Sequence, residues 1–275
     1  ETFLPLSPGD PFRQHRLNRC DVCGGYGDDK SKGALVFCQG CTFAYHGVCL
    51  GPRGQRKHLV TKDSDTQFIL QCRRCLGVAH AKDSMCPHQG CCDECKNPGP
   101  MSVPLRARLT AREEQQLREN NDGKDPITPV DTAQVNNIGN LLFRCITCHR
   151  AFHFEHLPPL SDTSMSDTDI ASLRFKEYSF GWECQDCSSA PGEIGAMVAW
   201  RPNDPRNYVP GYTADVMEEM DKDYLIKWKD MSYYRATWMA GSWVWGVAKS
   251  SMRKAFFASS KNLRPHMTAE EAIPE

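Results

Sequence analysis

The sequence predicts a string of small zinc-stabilised α+β modules rather than one continuous core. Three observations carry this. The chain has fifteen cysteines, all between Cys20 and Cys187; they recur as C-x2-C pairs interleaved with histidines; and after Cys187 the composition changes to apolar, β-branched and aromatic residues with no cysteine at all. At 275 residues the chain is long enough for two or three small domains.

Acidic and basic residues nearly cancel, with a formal net charge of −1, so attraction to nucleic acid would have to come from local patches. No apolar run approaches the roughly 18–20 residues that span a bilayer, which gives no membrane partner. The start, ETFLPLSPGD, has neither an initiator Met nor a signal-peptide pattern, and the chain reads as an excised piece, cut again at Glu275. The odd cysteine count, the regular spacing and the missing signal argue against a secreted disulfide scaffold. Two cysteines separated by two residues suit two corners of a tetrahedral zinc site, and structural zinc suits a reducing compartment.

The first set runs Cys20, Cys23, Cys38, Cys41, His46, Cys49, Cys72, Cys75, a complete complement for two zinc ions. This C4HC3 order, with Tyr45 just before the histidine, resembles the PHD finger. The resemblance implies cross-bracing, with pairs one and three on one ion and pairs two and four on the other. Such interleaving would tie the ends of a segment too small to bury an adequate core. A RING-type ubiquitin ligase has a similar order, but four residues separate Cys41 from His46, which fits PHD better. The PHD likeness further implies that a histone H3 tail adds as a strand beside Ala34, Leu35, Val36 and Phe37. Asp28 and Asp29 would attract its basic side chains, and the Gly51-Pro52 turn its terminal amine. The same residues also read as a solvated loop and an ordinary turn, and no aromatic cage for trimethyl-lysine is evident here.

Cys145, Cys148, His153 and His156 repeat C-x2-C-x4-H-x2, with His156 where the PHD family has Cys, and Cys184 and Cys187 close a second set. Trp182 stands where PHD fingers carry a packing Trp. For the first pair Cys92 and Cys95 have the right spacing. Cys86, His88 and Cys91 remain unassigned alternates that would pair differently, hold a fifth ion or be bystanders, so four zinc ions are expected with room for a fifth. Between the pairs, Thr110-Ala111-Arg112-Glu113 reads as a capping box opening a helix that ends near Asn120, with a polar stretch to Asn137. A second short helix is expected at Ile170 to Arg174.

Beyond Cys187, Ile194 to Trp200 and Asp223 to Lys229 read as strands, and Thr237-Trp238 begins or ends a third. Tyr224-Leu225-Ile226-Lys227-Trp228-Lys229 with Thr237-Trp238 resembles the chromodomain signature. That implies a curved three-stranded sheet with a C-terminal helix, here from Ser242 to Ala258. Trp228 matches one wall of the family's aromatic cage, where ring faces hold a methylated ammonium. Met231 and the region of Gly192 stand where the other two walls belong, so the cage is partial; the alternative for Trp228 is plain packing. Lys249, Arg253, Lys254, Lys261 and Arg264 make the tail basic, for DNA phosphate or simply a solvated face.

Two PHD-type fingers before a chromodomain resemble the N-terminal half of Mi-2-type chromodomain helicase remodellers, most of all fungal relatives in heterochromatin-silencing deacetylase complexes. The implied organisation is an extension over 1–17, finger one over 18–80, finger two over 81–190 with an insertion over about 98–140, a chromodomain-like module over 191–262 and a linker over 263–275. The resemblance implies a nuclear chromatin regulator. Its zinc fingers would engage the histone H3 tail, and its degenerate chromodomain would contact nucleosomal DNA or subunits of a deacetylase or silencing complex. The resemblance also implies a Snf2-type ATPase after Glu275; no phosphate-binding G-x-x-x-x-G-K-[ST] motif occurs here, and this segment itself is expected not to be an enzyme. A rigid protein-protein scaffold and a RING-like ligase are the alternatives.

Overall fold

Among the described residues, eleven elements of the finger region have two to four residues, far below the length at which a helix or hairpin stands alone, so their order must come from outside themselves. The computed structural model describes residues 2–3, 6–51, 67–77, 86–87, 89–101, 111–120, 122, 132–160, 167–209, 211–259 and 264–265. Contacts group the chain into two units. One comprises Glu1–Ala81, His88–Arg144 and Ala151–Trp182; the other comprises Lys82–Pro87, Cys145–Arg150 and Glu183–Glu275.

In the first unit, β1 (Thr2–Phe3) pairs in parallel with β4 (Gln67–Phe68), β2 (Leu35–Phe37) runs antiparallel to β3 (Ala44–His46), and β5 (Phe143–Arg144) antiparallel to β6 (Ala151–Phe152). The short helix α1 (Pro11–Gln14) starts because the Asp10 carboxylate accepts the Phe12 N–H at 2.8 Å and Pro11 presets the first turn. It drops Phe12 into a core with Leu35, Phe37, Ala44 and Leu141. Residues expected to form a mere extension therefore help build the first finger, because Phe12 and Arg16 bury what a metal site alone leaves open. After α2 (Gly47–Leu50) comes α3 (Ala111–Asn120), whose described side chains are exposed. The expected capping Thr110 and residue Lys261 lie outside the described residues.

The second predicted short helix is longer than its pattern suggested. As α4 (Asp167–Ser179), it carries Phe175 and Tyr178 into an aromatic cluster with Phe143, Phe152, Phe154 and Trp182. Arg174 donates to the Phe154 and Pro158 carbonyls, and the Tyr178 hydroxyl to Pro158 at 2.7 Å. These tertiary bonds extend a helix whose own periodicity is weak.

The second unit holds α5 (Gln185–Ser189) and an antiparallel sheet of β7 (Ile194–Pro202), β8 (Lys222–Trp228) and β9 (Thr237–Ala240), followed by α6 (Gly241–Val247) and α7 (Ser250–Ala258). Along β8, Lys222, Tyr224, Ile226 and Trp228 face inward by the two-residue alternation of a half-buried strand. Trp228 corrects the cage expectation. It is fully buried, donates to the Thr237 hydroxyl at 3.0 Å and packs edge-on against Trp243, so its face is closed to any ligand. The single helix expected over Ser242 to Ala258 is two helices. Arg253 turns back to the Trp245 and Ala248 carbonyls at 2.8 and 2.9 Å and satisfies the end of α6. Being buried, Arg253 also leaves the set of cations available to DNA.

Gly241 begins α6 where a Cβ would lie 2.3 Å from the Glu219 carbonyl oxygen, and rigid backbone cannot yield. Gly241→Ala is expected to cost about 2–3 kcal/mol in chemical denaturation of the second unit. No helix among the described residues is long and apolar enough to cross a membrane.

Candidate metal centres

A turn repeats three times and explains why the pairs converge. After Cys20-x2-Cys23, Cys92-x2-Cys95 and Cys145-x2-Cys148 comes a left-handed residue, respectively Gly24, Lys96 and His149. Each returns its N–H to the carbonyl of the first cysteine at 2.9, 2.9 and 3.1 Å. The first cysteine in turn donates to the carbonyl of the next residue along, Gly25, Asn97 or Arg150. The loop presents both sulfurs to one side. Each finger then docks a knuckle on a strand in the same way, with Asp21 donating to Ala44 and Asp93 to Ala151 at 3.0 and 2.8 Å. Two fingers built on one plan are thus written in backbone bonds as well as in ligand order.

Four quartets result: Cys20, Cys23, His46 and Cys49; Cys38, Cys41, Cys72 and Cys75; Cys92, Cys95, His153 and His156; and Cys145, Cys148, Cys184 and Cys187. Pairs one and three meet, and pairs two and four meet, in both fingers. All fifteen cysteines are free thiols. Sulfur–sulfur separations are 3.7–3.8 Å in the second quartet and 3.6 Å in the fourth. A disulfide needs about 2.05 Å. A tetrahedron with zinc–sulfur bonds of about 2.3 Å has edges of about 3.8 Å, so the donors fit zinc. Mixed edges agree: Nδ1 of His46, His156 and His153 lies 3.4, 3.3 and 3.4 Å from Cys23, Cys92 and Cys95. With four protein donors each, all four are closed, structural sites rather than catalytic ones with an open position.

The surroundings tune the donors. His46 Nε2 donates to the Gly27 carbonyl at 2.9 Å, leaving the Nδ1 lone pair for the metal. Burial pushes the Cys38 thiol well above its ordinary range, a penalty that coordination removes because a metal-bound thiol is deprotonated. Four thiolates around a divalent ion leave two negative charges, and each all-cysteine site has arginine beside it. At the second, Arg144 donates to Cys75 Sγ at 3.5 Å, while Arg16 donates to the Cys38, Cys41 and Phe43 carbonyls. Burial alone would lower Arg144, yet the Cys41, Cys75 and Cys72 thiolates together hold it well above its usual value. At the fourth, Arg150 donates to Cys148 and Cys184 at 3.4 and 3.1 Å and pairs with Asp186. The sequence gives no reason to single out these arginines, because arginine is mostly exposed and none stands in a ligand motif.

His156 needs only to offer one donor atom, and Cys is equally acceptable there. His156→Cys is expected to keep four zinc ions by native mass spectrometry with stability changed by less than about 1 kcal/mol, whereas His156→Ala loses one ion.

The other named residues are placed as follows. Cys86 and Cys91 are half-buried and join no quartet among the described residues, and His88 lies outside those residues. Asp28 is already engaged: it accepts the Leu35 N–H at 2.9 Å and pairs with Arg13, and both partners hold it below the usual carboxylate range. Asp29 folds onto Ser31 and Lys32 and is lowered to about 2 by the Ser31 hydroxyl and these amides. Leu35 and Phe37 are buried, Val36 is half-buried, and β2 has only β3 beside it among the described residues. Gly51 turns with φ 68°, while Pro52 lies outside the described residues.

Cross-braced quartets of this kind define a zinc-binding structural module. The family model described as "PHD/FYVE-zinc-finger like domain" matches residues 20–187, more than half of the chain, and the chain belongs to that family. A stretch of 100 residues, 36% of the chain, is 30% identical to the CHD3-type chromatin-remodeling factor PICKLE of Arabidopsis thaliana. The stretch covers 6% of that protein.

Proposed function

We propose that this chain is a chromatin-binding region of a nuclear nucleosome remodeller. Its first finger would take an extended histone H3 tail along β2, and the sheet of the second unit would act as a chromodomain-like contact for DNA or protein. The observation that carries the reading is the outer edge of β2, where the Leu35 N–H points away from β3 and, among the described residues, is met by the side chain of Asp28. A peptide strand could take that donor while Asp28 turns to a basic residue. The likeness to a chromatin-remodeling factor and membership of a PHD-like family support it. The closed metal sites leave this region a binding rather than a catalytic part, with any ATPase belonging elsewhere in the whole protein.

A second reading, a scaffold that holds subunits of a silencing complex without reading histones, is favoured by the engagement of Asp28 with Arg13 and Leu35. Calorimetric titration of the zinc-loaded chain with unmodified and methylated H3 peptides at low salt separates the two. Heat that disappears when the peptide's amino terminus is acetylated supports tail reading. No heat with any peptide sinks it and leaves the scaffold.

A further inference from the structure

We infer that the fourth metal centre is an integral part of the C-terminal sheet, so that occupancy at Cys145, Cys148, Cys184 and Cys187 decides whether β7–β9 and the groove beside them hold together. The inference concerns the second unit alone and is independent of histone reading. In the sequence the sheet looks self-sufficient, since no ligand follows Cys187. The structure groups Cys145–Arg150 and residues 183–190 with the sheet in one unit.

Three contacts make the connection. Trp243, 2% exposed, donates its indole N–H to Cys187 Sγ at 3.3 Å. Its ring packs 6.0 Å from that of Trp228, which donates to Thr237, so one chain of contacts runs from the metal ligand through α6 to β8 and β9. On the other side, α6 passes so close to the knuckle that a Cβ on Gly246 would lie 2.1 Å from the Cys148 carbonyl oxygen. Finally, Arg150 ties Cys148 and Cys184 to Asp186 in α5. A cavity of about 440 Å³ opens beside these contacts, lined by Thr147 and Cys187 from the metal site, Gly192 and Ile194 at the entry to β7, and Trp243 and Met252.

A three-stranded sheet backed by two helices of seven and nine residues has little apolar surface to spare. With the metal bound, the cysteines are fixed thiolates and the Trp243 N–H meets a charged acceptor. Without it, the four sulfurs are no longer tied together, and the indole and Gly246 lose the surface they rest on. Binding and folding are then linked, and the linkage is reciprocal: a change in α6 that leaves every ligand in place must loosen the metal.

The test uses the full chain. The double variants C145S/C148S and C92S/C95S are each compared with the parent by native mass spectrometry and hydrogen exchange, with β2 and β3 as internal reference. Both should lose one metal. Only the first should exchange at least about 100-fold faster over residues 194–202 and 222–228. If that variant lacks one metal while β7 and β8 exchange within about threefold of the parent rate, the inference is overturned. Gly246→Ala keeps all ligands and guards against a general failure to fold. One of its four metals should pass to a chelator at least about tenfold faster than in the parent, and parent-like release of all four contradicts the linkage.

Discussion

Cys72→Ser will abolish the cooperative folding of the first unit. Its sulfur belongs to a quartet in which all four cysteines have zero exposure, and Arg16 and Arg144 are buried beside it. Structural zinc contributes about 10–16 kcal/mol in small fingers at neutral pH, as much as the whole stability of a typical domain at about 5–15 kcal/mol. The loss is compounded, because two arginine charges remain where compensating thiolates stood. Near-ultraviolet circular dichroism and a thermal melt report it: the expected variant binds fewer metals and has no cooperative transition among the first-unit elements. A variant that melts like the parent with four metals bound would show that serine can replace the thiolate, and the energetic role assigned to this centre would be wrong.

Lys222→Met will destabilise the second unit by about 3–5 kcal/mol, although it adds an apolar side chain to a buried place. Lys222 has zero exposure and pairs with Glu219 at 2.7 Å, and the Tyr224 hydroxyl donates to the same carboxylate at 2.9 Å. Burial lowers Lys222 and raises Glu219, each opposed by attraction to the other. Removing the cation leaves a buried carboxylate with a hydroxyl donor and only the attraction of Arg253 against its charge. Replacing both residues, as in K222M/E219L, should recover most of the loss, since a matched apolar pair carries no unpaired charge. Urea denaturation followed by tryptophan emission measures both, and a single variant within about 1 kcal/mol of the parent would show the pair to be dispensable.

How far the sequence reveals this molecule depends on the kind of constraint. Metal ligands are legible because spacing is dictated by tetrahedral geometry; how the pairs combine into quartets, and His156 in a cysteine's place, come from the PHD likeness, while spacing favours Cys92 and Cys95 without excluding their neighbours. Strand β7 is legible from its run of apolar residues and β8 from its two-residue alternation. What stays hidden is whatever depends on tertiary contact. Phe12 and Arg16 look like an exposed tail until the core that receives them is seen. Arg144 and Arg150 are hidden for the same reason, since charge compensation leaves no periodic trace. Trp228 sits in a recognisable signature, yet only packing distinguishes a cage wall from a core residue. The unit boundary is invisible because the Trp243 and Gly246 contacts join residues far apart in the chain.

Four closed zinc centres organise this chain, using thirteen of its fifteen cysteines as thiolates. Native mass spectrometry of the purified chain, followed by the mass of the same sample under denaturing, non-reducing conditions, tests it most directly. The native spectrum should show four zinc ions, released on denaturation to leave a chain with fifteen reduced thiols. Fewer than four ions, or a denatured mass showing disulfides among the ligand cysteines, would contradict it.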